Sequence, residues 1–214
     1  MPAPAMPGGL SRRRFSTALG GTALLLPAVA RAAFPAGSAI DGALPDLSFR
    51  MTRSSDGKLV TAADYRGYVV VLYFGFTRCA DTCPLTMHNL ALILRRMGPL
   101  AARMRVLFVT IDLAHDTLPR LRRFVANFGS PPRFDGLRGT PAELAAMAKR
   151  DDVLFHAPSR TDAPDPVSGI SHSSFAYVFG PHGKARDLLS TISNADVDLA
   201  AMTEGFNRLA RSAG

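Results

Sequence analysis

Cysteine is scarce in this sequence: Cys79 and Cys83 are the only two among 214 residues. Neither lies near the N-terminus, which excludes a lipid anchor on a leader cysteine. Internal repeats and low-complexity segments are missing beyond the first 32 residues, so the chain is not a repeat array. No recognised nucleic-acid-binding motif occurs either, and the basic residues therefore need another explanation.

The formal net charge is +8, from 25 Lys and Arg against 17 Asp and Glu. Four of the arginines (Arg12, Arg13, Arg14 and Arg31) lie in the first 32 residues, which contain no acid, so about half of the excess charge belongs to that segment. The other basic residues occur in small groups that are typical of solvated helix faces rather than of a nucleic-acid interface. We therefore expect no nucleic-acid partner.

The N-terminal 32 residues have the organisation of an export signal. The basic segment 11–15 precedes an apolar run at 18–30, and two small-x-small cleavage sites follow at its end. That run is shorter than the ~20 residues that span a bilayer comfortably. The paired arginines before Phe15 resemble the twin-arginine signal of bacteria. The pattern predicts export to the periplasm, with an uncleaved membrane anchor over residues 15–34 as the alternative.

The remaining chain divides into a linker at 33–43 and one domain at 44–214. Its patterns predict strands at 44–52, 59–61, 68–76, 105–111, 174–179 and 185–190. They predict helices at 85–97 and 118–128, a helix that Thr140 caps and that ends near Lys149, and a last helix that begins at Asn194 or Asp196 and ends near Arg211. Residues 157–168 are expected to form a long loop.

Two features indicate the fold class. Alternating strands and helices predict an α/β domain, and the closing pair of strands predicts a mixed sheet. A dithiol at a strand-to-helix junction, followed by a hairpin and a final helix, is the thioredoxin arrangement. We therefore expect a thioredoxin-like fold with a central mixed sheet flanked by helices.

Cys79 and Cys83 lie four residues apart at the predicted start of a helix. One helical turn has 3.6 residues, so both sulfurs can face the same side, with Cα atoms about 6 Å apart. The helix N-terminus also favours thiolates. The pair can cycle between dithiol and disulfide, or hold a soft metal ion. A purely structural disulfide is the third interpretation, although a loop this small gains little entropy from closure.

Two thiolates alone make an incomplete metal site. His172 precedes a predicted core strand, where a thioredoxin-like fold brings a loop over the dithiol. Two thiolates and one imidazole suit Cu(I) and can also hold Cu(II). Zinc is the main competitor, but it normally takes four ligands.

Other histidines, a methionine and three carboxylates are further candidates. His88 is expected on a different helix face, His156 and His182 in solvent, and Met87 in the core. His115, in the loop after the second buried strand, is a candidate for a role beside the metal ligands rather than as one of them. Three carboxylates either place negative charge beside the site or serve as helix caps and turn residues: Asp81, Asp112 and Asp116.

Three stretches together resemble the Sco/SenC copper chaperones of cytochrome c oxidase assembly. They are Phe74-Gly75-Phe76-Thr77-x-Cys79-x-Asp81-x-Cys83-Pro84, Thr110-Ile111-Asp112-x3-Asp116-Thr117, and His172-Ser173 before Phe175-x-Tyr177-x-Phe179-x-Pro181-x-Gly183-Lys184. The resemblance covers residues 43–211. It implies copper ligands at Cys79, Cys83 and His172.

The resemblance also implies a function. It indicates a metallochaperone that delivers copper to the binuclear copper centre of oxidase subunit II, close to the membrane surface, with other copper carriers as further partners. The alternative is a periplasmic thiol–disulfide reductase that acts on the cysteines of that centre, with Cys79 and Cys83 as its redox pair. A thiol peroxidase is a third reading, from Thr77-x-Cys79. Whether the chain is an enzyme is left open, and His172 separates the first two readings because thiol exchange does not need it.

Overall fold

The structure is a computed structural model that describes residues 1, 37–40, 42–156 and 171–212. The predicted leader, apart from Met1, and the predicted loop at 157–168 therefore lie outside the described residues. The division into leader and mature domain stays a prediction.

Within the residues that the structure describes, ten strands form two sheets. They are β1 (Gly37–Ala39), β2 (Arg50–Arg53), β3 (Leu59–Thr61), β4 (Val69–Gly75), β5 (Met104–Thr110), β6 (Phe134–Arg138), β7 (Phe155–His156), β8 (Ser171–His172), β9 (Ala176–Phe179) and β10 (Ala185–Leu189). Eight strands make a mixed sheet in the order β1-β10-β9-β4-β5-β6-β2-β3, and β7 pairs with β8 in a separate small sheet. The expected central mixed sheet is confirmed.

The described part of the chain also contains four α-helices: α1 (Thr82–Met97), α2 (Leu118–Ala126), α3 (Pro141–Arg150) and α4 (Leu199–Arg211). In the same part, 3₁₀ segments lie at Ala62–Tyr65 and Gly98–Arg103. Helix α1 packs against α4, and α2 packs against β6. None of the helices described is long and apolar enough to cross a bilayer.

The two central strands position the functional end of the sheet. Every residue of β4 and β5 is buried, as their continuous apolar and β-branched runs predict. The two strands are parallel, and Gly75 at the end of β4 stands beside Thr110 at the end of β5. The segments that follow them, one of which contains Cys79, therefore leave the sheet at the same edge.

Several predicted boundaries are wrong for identifiable reasons. The predicted linker contains β1, which pairs with β10 although its three residues are small. Strand β6 was not predicted because Asp135 and Gly136 interrupt its apolar pattern. The last helix is capped by Asp198, whose carboxylate accepts two backbone N–H bonds, rather than by the earlier Asn194 or Asp196. The Thr140 cap of α3 is confirmed.

Candidate metal centre

The two cysteines occupy the turn after β4 and the first turn of α1. Asp81 is the N-cap residue of that helix, and the backbone N–H of Cys83 points at Cys79 Sγ, with N and Sγ 3.5 Å apart. Both thiols are free; Cys83 is fully buried and Cys79 is half-buried. One sulfur of the pair is thus accessible, and the other lies in the core.

The sheet forms a close-fitting seat for the buried sulfur. A Cβ atom at Gly75 would lie 2.9 Å from Cys83 Sγ and 2.9 Å from the Phe108 ring. The Tyr73 hydroxyl lies 3.8 Å from the same sulfur and donates to it. A glycine at the end of β4 is therefore what lets Cys83 approach the strand.

The two thiols have opposite acidities. The pKa of Cys79 is lowered to about 3, chiefly because the Cys83 thiol donates to its sulfur, with further help from His172 and from the backbone N–H groups of Cys83 and Asp81; burial opposes the shift. The pKa of Cys83 is raised well above the ordinary value by its bond to Cys79 and by burial. The reduced site therefore carries one thiolate, on Cys79, and one thiol, on Cys83.

His172 reaches this pair from strand β8. Its Nε2 lies 3.4 Å from Cys83 Sγ, and its Nδ1 lies 2.9 Å from the carbonyl oxygen of Ser173. A carbonyl only accepts hydrogen bonds, so Nδ1 donates to it, and Nε2 is the ring nitrogen that faces the sulfur. A backbone partner on the other ring nitrogen is the usual way in which a metal-binding histidine is oriented.

Aromatic and polar contacts fix the imidazole further. The rings of Tyr73 and Phe76 each meet it edge-on, with centroids 5.9 Å away. Ser193 Oγ donates to the carbonyl of Ser174 at 3.0 Å and lies 2.7 Å from the Thr86 hydroxyl on α1. Ser193 thus bonds to the histidine segment and contacts the helix that carries Cys83.

Buried carboxylates hold the turn before Cys79. Asp112 accepts from Arg78 at 2.7 Å and lies 2.8 Å from His115 Nδ1. Asp116 accepts from both the backbone N–H and the hydroxyl of Thr77. Of the two roles left open for these carboxylates, the structure favours the structural one: both are buried and bonded to the turn and its neighbours.

The remaining candidates are two histidines at exposed positions, a buried methionine, the carboxylate between the cysteines and a histidine in β7. His88 and His182 are exposed, and Met87 is fully buried in the core, as expected. Asp81 is exposed and its side chain makes no cap bond. His156 lies in β7, and nothing is described of its side chain. Sequence analysis missed Ser193, since a serine in a loop gives no distinguishing signal.

The three expected ligands are neighbours, but their side chains are not arranged as a complete metal-coordination site. Within the described ranges, no group of three or more His, Cys, Asp or Glu side chains is arranged as a metal-binding cluster. Cys83 contacts Cys79 through its backbone N–H and His172 through its sulfur, so it links the other two expected ligands. Two sulfurs and one imidazole nitrogen are a soft donor set that fits Cu(I). Metal binding by these residues stays a prediction.

A family model and individual known proteins match this chain, and both indicate the same family. The SCO1/SenC family model matches residues 41–206. The mitochondrial SCO2 homologue of Bos taurus is 32% identical over 142 residues, which are 65% of this chain and 52% of that protein. This chain therefore spans about half the length of that relative.

Solved structures agree with this. Yeast Sco1 with copper bound is 26% identical, with a TM-score of 0.66 over 78% of this chain and 90% of that one. Arabidopsis thaliana ScoI with copper bound is 25% identical, with a TM-score of 0.65 over 78% of this chain and 98% of that one. The expected thioredoxin-like fold is confirmed by these neighbours. Sco structures are solved with copper bound.

Proposed function

This chain belongs to the SCO1/SenC family, and we propose that it is a copper chaperone in the assembly of cytochrome c oxidase. We propose Cys79, Cys83 and His172 as the ligands, and the binuclear copper centre of oxidase subunit II as the destination. One observation carries the proposal: His172 Nε2 faces the sulfur of Cys83 at 3.4 Å, in the same site as the Cys79 thiolate. An imidazole so oriented adds a third donor that a simple dithiol does not need.

Copper is the cargo of the proposed chaperone, and each of the three ligands has a separate role in its binding and release. Cys79 is half-buried and already a thiolate, so it is the ligand that receives the ion first. Cys83 must lose its proton to bind, and metal binding releases that proton. His172 supplies Nε2 as the third donor and completes a trigonal set. Release follows when the partner's own ligands replace these donors one at a time, with Cys79 as the exposed exit.

We further propose that the protein acts outside the cytoplasm after export by residues 1–32, with 44–214 as the copper-binding domain. Support comes from the basic leader and its small-x-small sites. The expected mature form begins near Arg31 or Ala33. Mass spectrometry of the periplasmic fraction tests this, and an intact N-terminus found only in membranes would favour an anchor instead.

A second candidate is a thiol–disulfide reductase, which the unequal acidities of the two thiols favour. The Cys79 thiolate attacks a client disulfide, forms a mixed disulfide and releases one client thiolate. Cys83 then loses its proton and attacks Cys79, which forms the Cys79–Cys83 disulfide and frees the second client thiol. Two electrons pass from this dithiol to the client.

Copper affinity, measured against a competing chelator, tests the chaperone proposal. Reduced protein should bind one copper ion, and protein oxidised to the Cys79–Cys83 disulfide should bind almost none, because both thiolates are consumed. If the reduced protein fails to bind copper, the chaperone proposal is wrong. If His172→Ala retains full oxidase-assembly activity while the cysteine variants lose it, the reductase function replaces it.

A further inference from the structure

Asp116 connects the two chain segments that leave the functional edge of the sheet. It lies between β5 and α2 and is 0% exposed. Its carboxylate accepts from the Thr77 backbone N–H at 2.9 Å, from the Thr77 hydroxyl at 2.5 Å and from the Thr110 hydroxyl at 2.6 Å. Thr110 is the last residue of β5, and Thr77 precedes Cys79 by two positions. One buried carboxylate thus ties the cysteine turn to the neighbouring strand.

Two arginines hold this connection from outside. Arg120 Nε donates to the Thr77 hydroxyl at 2.8 Å and lies 3.9 Å from the Asp116 carboxylate. Arg138 Nε donates to the backbone oxygen of Asp116 at 3.0 Å. Arg120 therefore connects the turn to α2, and Arg138 connects Asp116 to β6. Both arginines contact Asp116 itself.

We propose that Asp116 is a positioning residue for the dithiol: through Thr77 it fixes the turn that presents Cys79 to Cys83 and His172. It acts by geometry, because its bonds are to the turn and not to sulfur. The part of this proposal that concerns copper rests on the proposed function, whereas the part that concerns the dithiol does not.

The chain offers a matched control in Asp135, near the start of β6. It is 4% exposed and accepts from Ser54 Oγ at 2.9 Å, from Ser55 N at 3.1 Å and from Gly136 N at 2.9 Å, and it is also bonded to the Ser55 hydroxyl. Like Asp116, it is a buried carboxylate that secures a turn with hydroxyl and amide donors. Its turn lies between β2 and β3, away from the cysteines.

The first experiment compares copper affinity among Asp116→Ala, Asp116→Asn and Asp135→Ala in the full chain. Loss of a residue that orients a ligand typically weakens metal binding about 10- to 100-fold, and we expect a loss of this size for Asp116→Ala. Asp116→Asn should restore most of the affinity, because an amide oxygen in the place of Oδ2 can accept from the Thr77 backbone N–H and the Thr110 hydroxyl. Its NH₂, in the place of Oδ1, can donate to the Thr77 hydroxyl. Asp135→Ala should lower thermal stability and leave copper affinity unchanged.

Two results would overturn the positioning role. If Asp116→Asn loses as much affinity as Asp116→Ala, the charge of the carboxylate matters rather than its bonds. If Asp135→Ala weakens copper binding to the same extent, the effect is a general loss of stability.

The second experiment needs no metal and equilibrates the protein with glutathione. Cys79 and Cys83 lose two electrons and the one proton that the pair carries when they form their disulfide. One glutathione disulfide takes up these electrons, that proton and one proton from solvent, and becomes two glutathione thiols. A looser turn lowers the effective concentration of one thiol at the other. Asp116→Ala should therefore shift the equilibrium towards the dithiol, and Asp135→Ala should not.

This measurement separates failure of the inference from failure of the proposed function. A wild-type protein that binds no copper would reject the chaperone proposal, yet the glutathione equilibrium would still test Asp116. Should Asp116→Ala not fold, Thr77→Val carries the test, since it removes the bonds of the hydroxyl to Asp116 and Arg120 and keeps the backbone bond to Asp116. It should move the equilibrium in the same direction by less, and an unchanged equilibrium would reject the inference.

Discussion

The cysteines and the histidine are attached to the molecule in different ways. Cys83 is fully buried between α1 and the end of β4, in a space that only Gly75 leaves free. His172 is half-buried and belongs to a separate sheet of two strands with two residues each. The Cys83 end of the dithiol is thus part of the hydrophobic core, whereas His172 lies in the separate two-stranded sheet.

This difference separates the two chemistries in structural terms. We call Cys79 and Cys83 the core half of the site and His172 the histidine half. Thiol exchange needs only the core half, but copper binding needs both halves. A change to the core half should affect both properties, and a change to the histidine half should affect copper alone. The predictions below test that division.

The largest effect is expected from the core half. Cys79→Ser or Cys83→Ser removes a sulfur that both chemistries require, so copper binding and disulfide formation should both be abolished. Chelator competition and thiol titration measure the two losses, and thermal unfolding shows whether the variants remain folded. A folded Cys→Ser variant that still binds copper with wild-type affinity would contradict the three-ligand site.

The next effect is confined to the histidine half. His172→Ala removes a ligand but neither sulfur, so copper affinity should fall by orders of magnitude while the disulfide still forms. His182→Ala is the matched control, because His182 is exposed in the turn between β9 and β10. The same two assays apply. Loss of the disulfide in His172→Ala would show that the two halves are not separable.

A third test compares how Cys83 and His172 affect the pKa of Cys79. Its pKa of about 3 is due first to Cys83 and only secondarily to His172. Alkylation by iodoacetamide, which consumes thiolate, should keep a nearly constant rate from about pH 8 to about pH 5, because an ordinary cysteine titrates near pH 8.5 and this one titrates far below the window.

The variants sharpen this test. Cys83→Ala should raise the pKa of Cys79 and make alkylation slow down as the pH falls through the new value. His172→Ala should raise the pKa by less. A wild-type rate that already drops about tenfold per pH unit below pH 8 would show that Cys79 is an ordinary thiol.

The sequence predicted the position of the two cysteines in more detail than that of the residues that hold the site in place. The apolar runs of β4 and β5 and the spacing of Cys79 and Cys83 placed the dithiol at a strand-to-helix junction, and the structure confirms that placement. Asp116 was ambiguous, because a carboxylate in a turn can be a cap, an exposed charge or a buried anchor, and only burial distinguishes them. Strand β6 and Ser193 were missed, since neither an interrupted strand nor a loop serine has a periodic signal.

The smallest effect is expected at the link between the two halves. Ser193 Oγ donates to the Ser174 carbonyl and lies 2.7 Å from the Thr86 hydroxyl, and Thr86 has its own bond to the Thr82 carbonyl on α1. Ser193→Ala therefore leaves the helix with its own bonds but removes one bond from the histidine segment. A hydrogen bond of this kind contributes about 1 kcal/mol, which corresponds to a roughly fivefold loss of copper affinity.

The disulfide equilibrium of this variant should stay at the wild-type value, because the cysteines remain held by the core. Ser212→Ala is the matched control, since it also removes one hydroxyl-to-carbonyl bond, to Leu209 at the end of α4. It should change neither property. A shifted disulfide equilibrium in Ser193→Ala would mean that the histidine segment also holds the dithiol in place, and the division between the two halves would then fail at the contact where they meet.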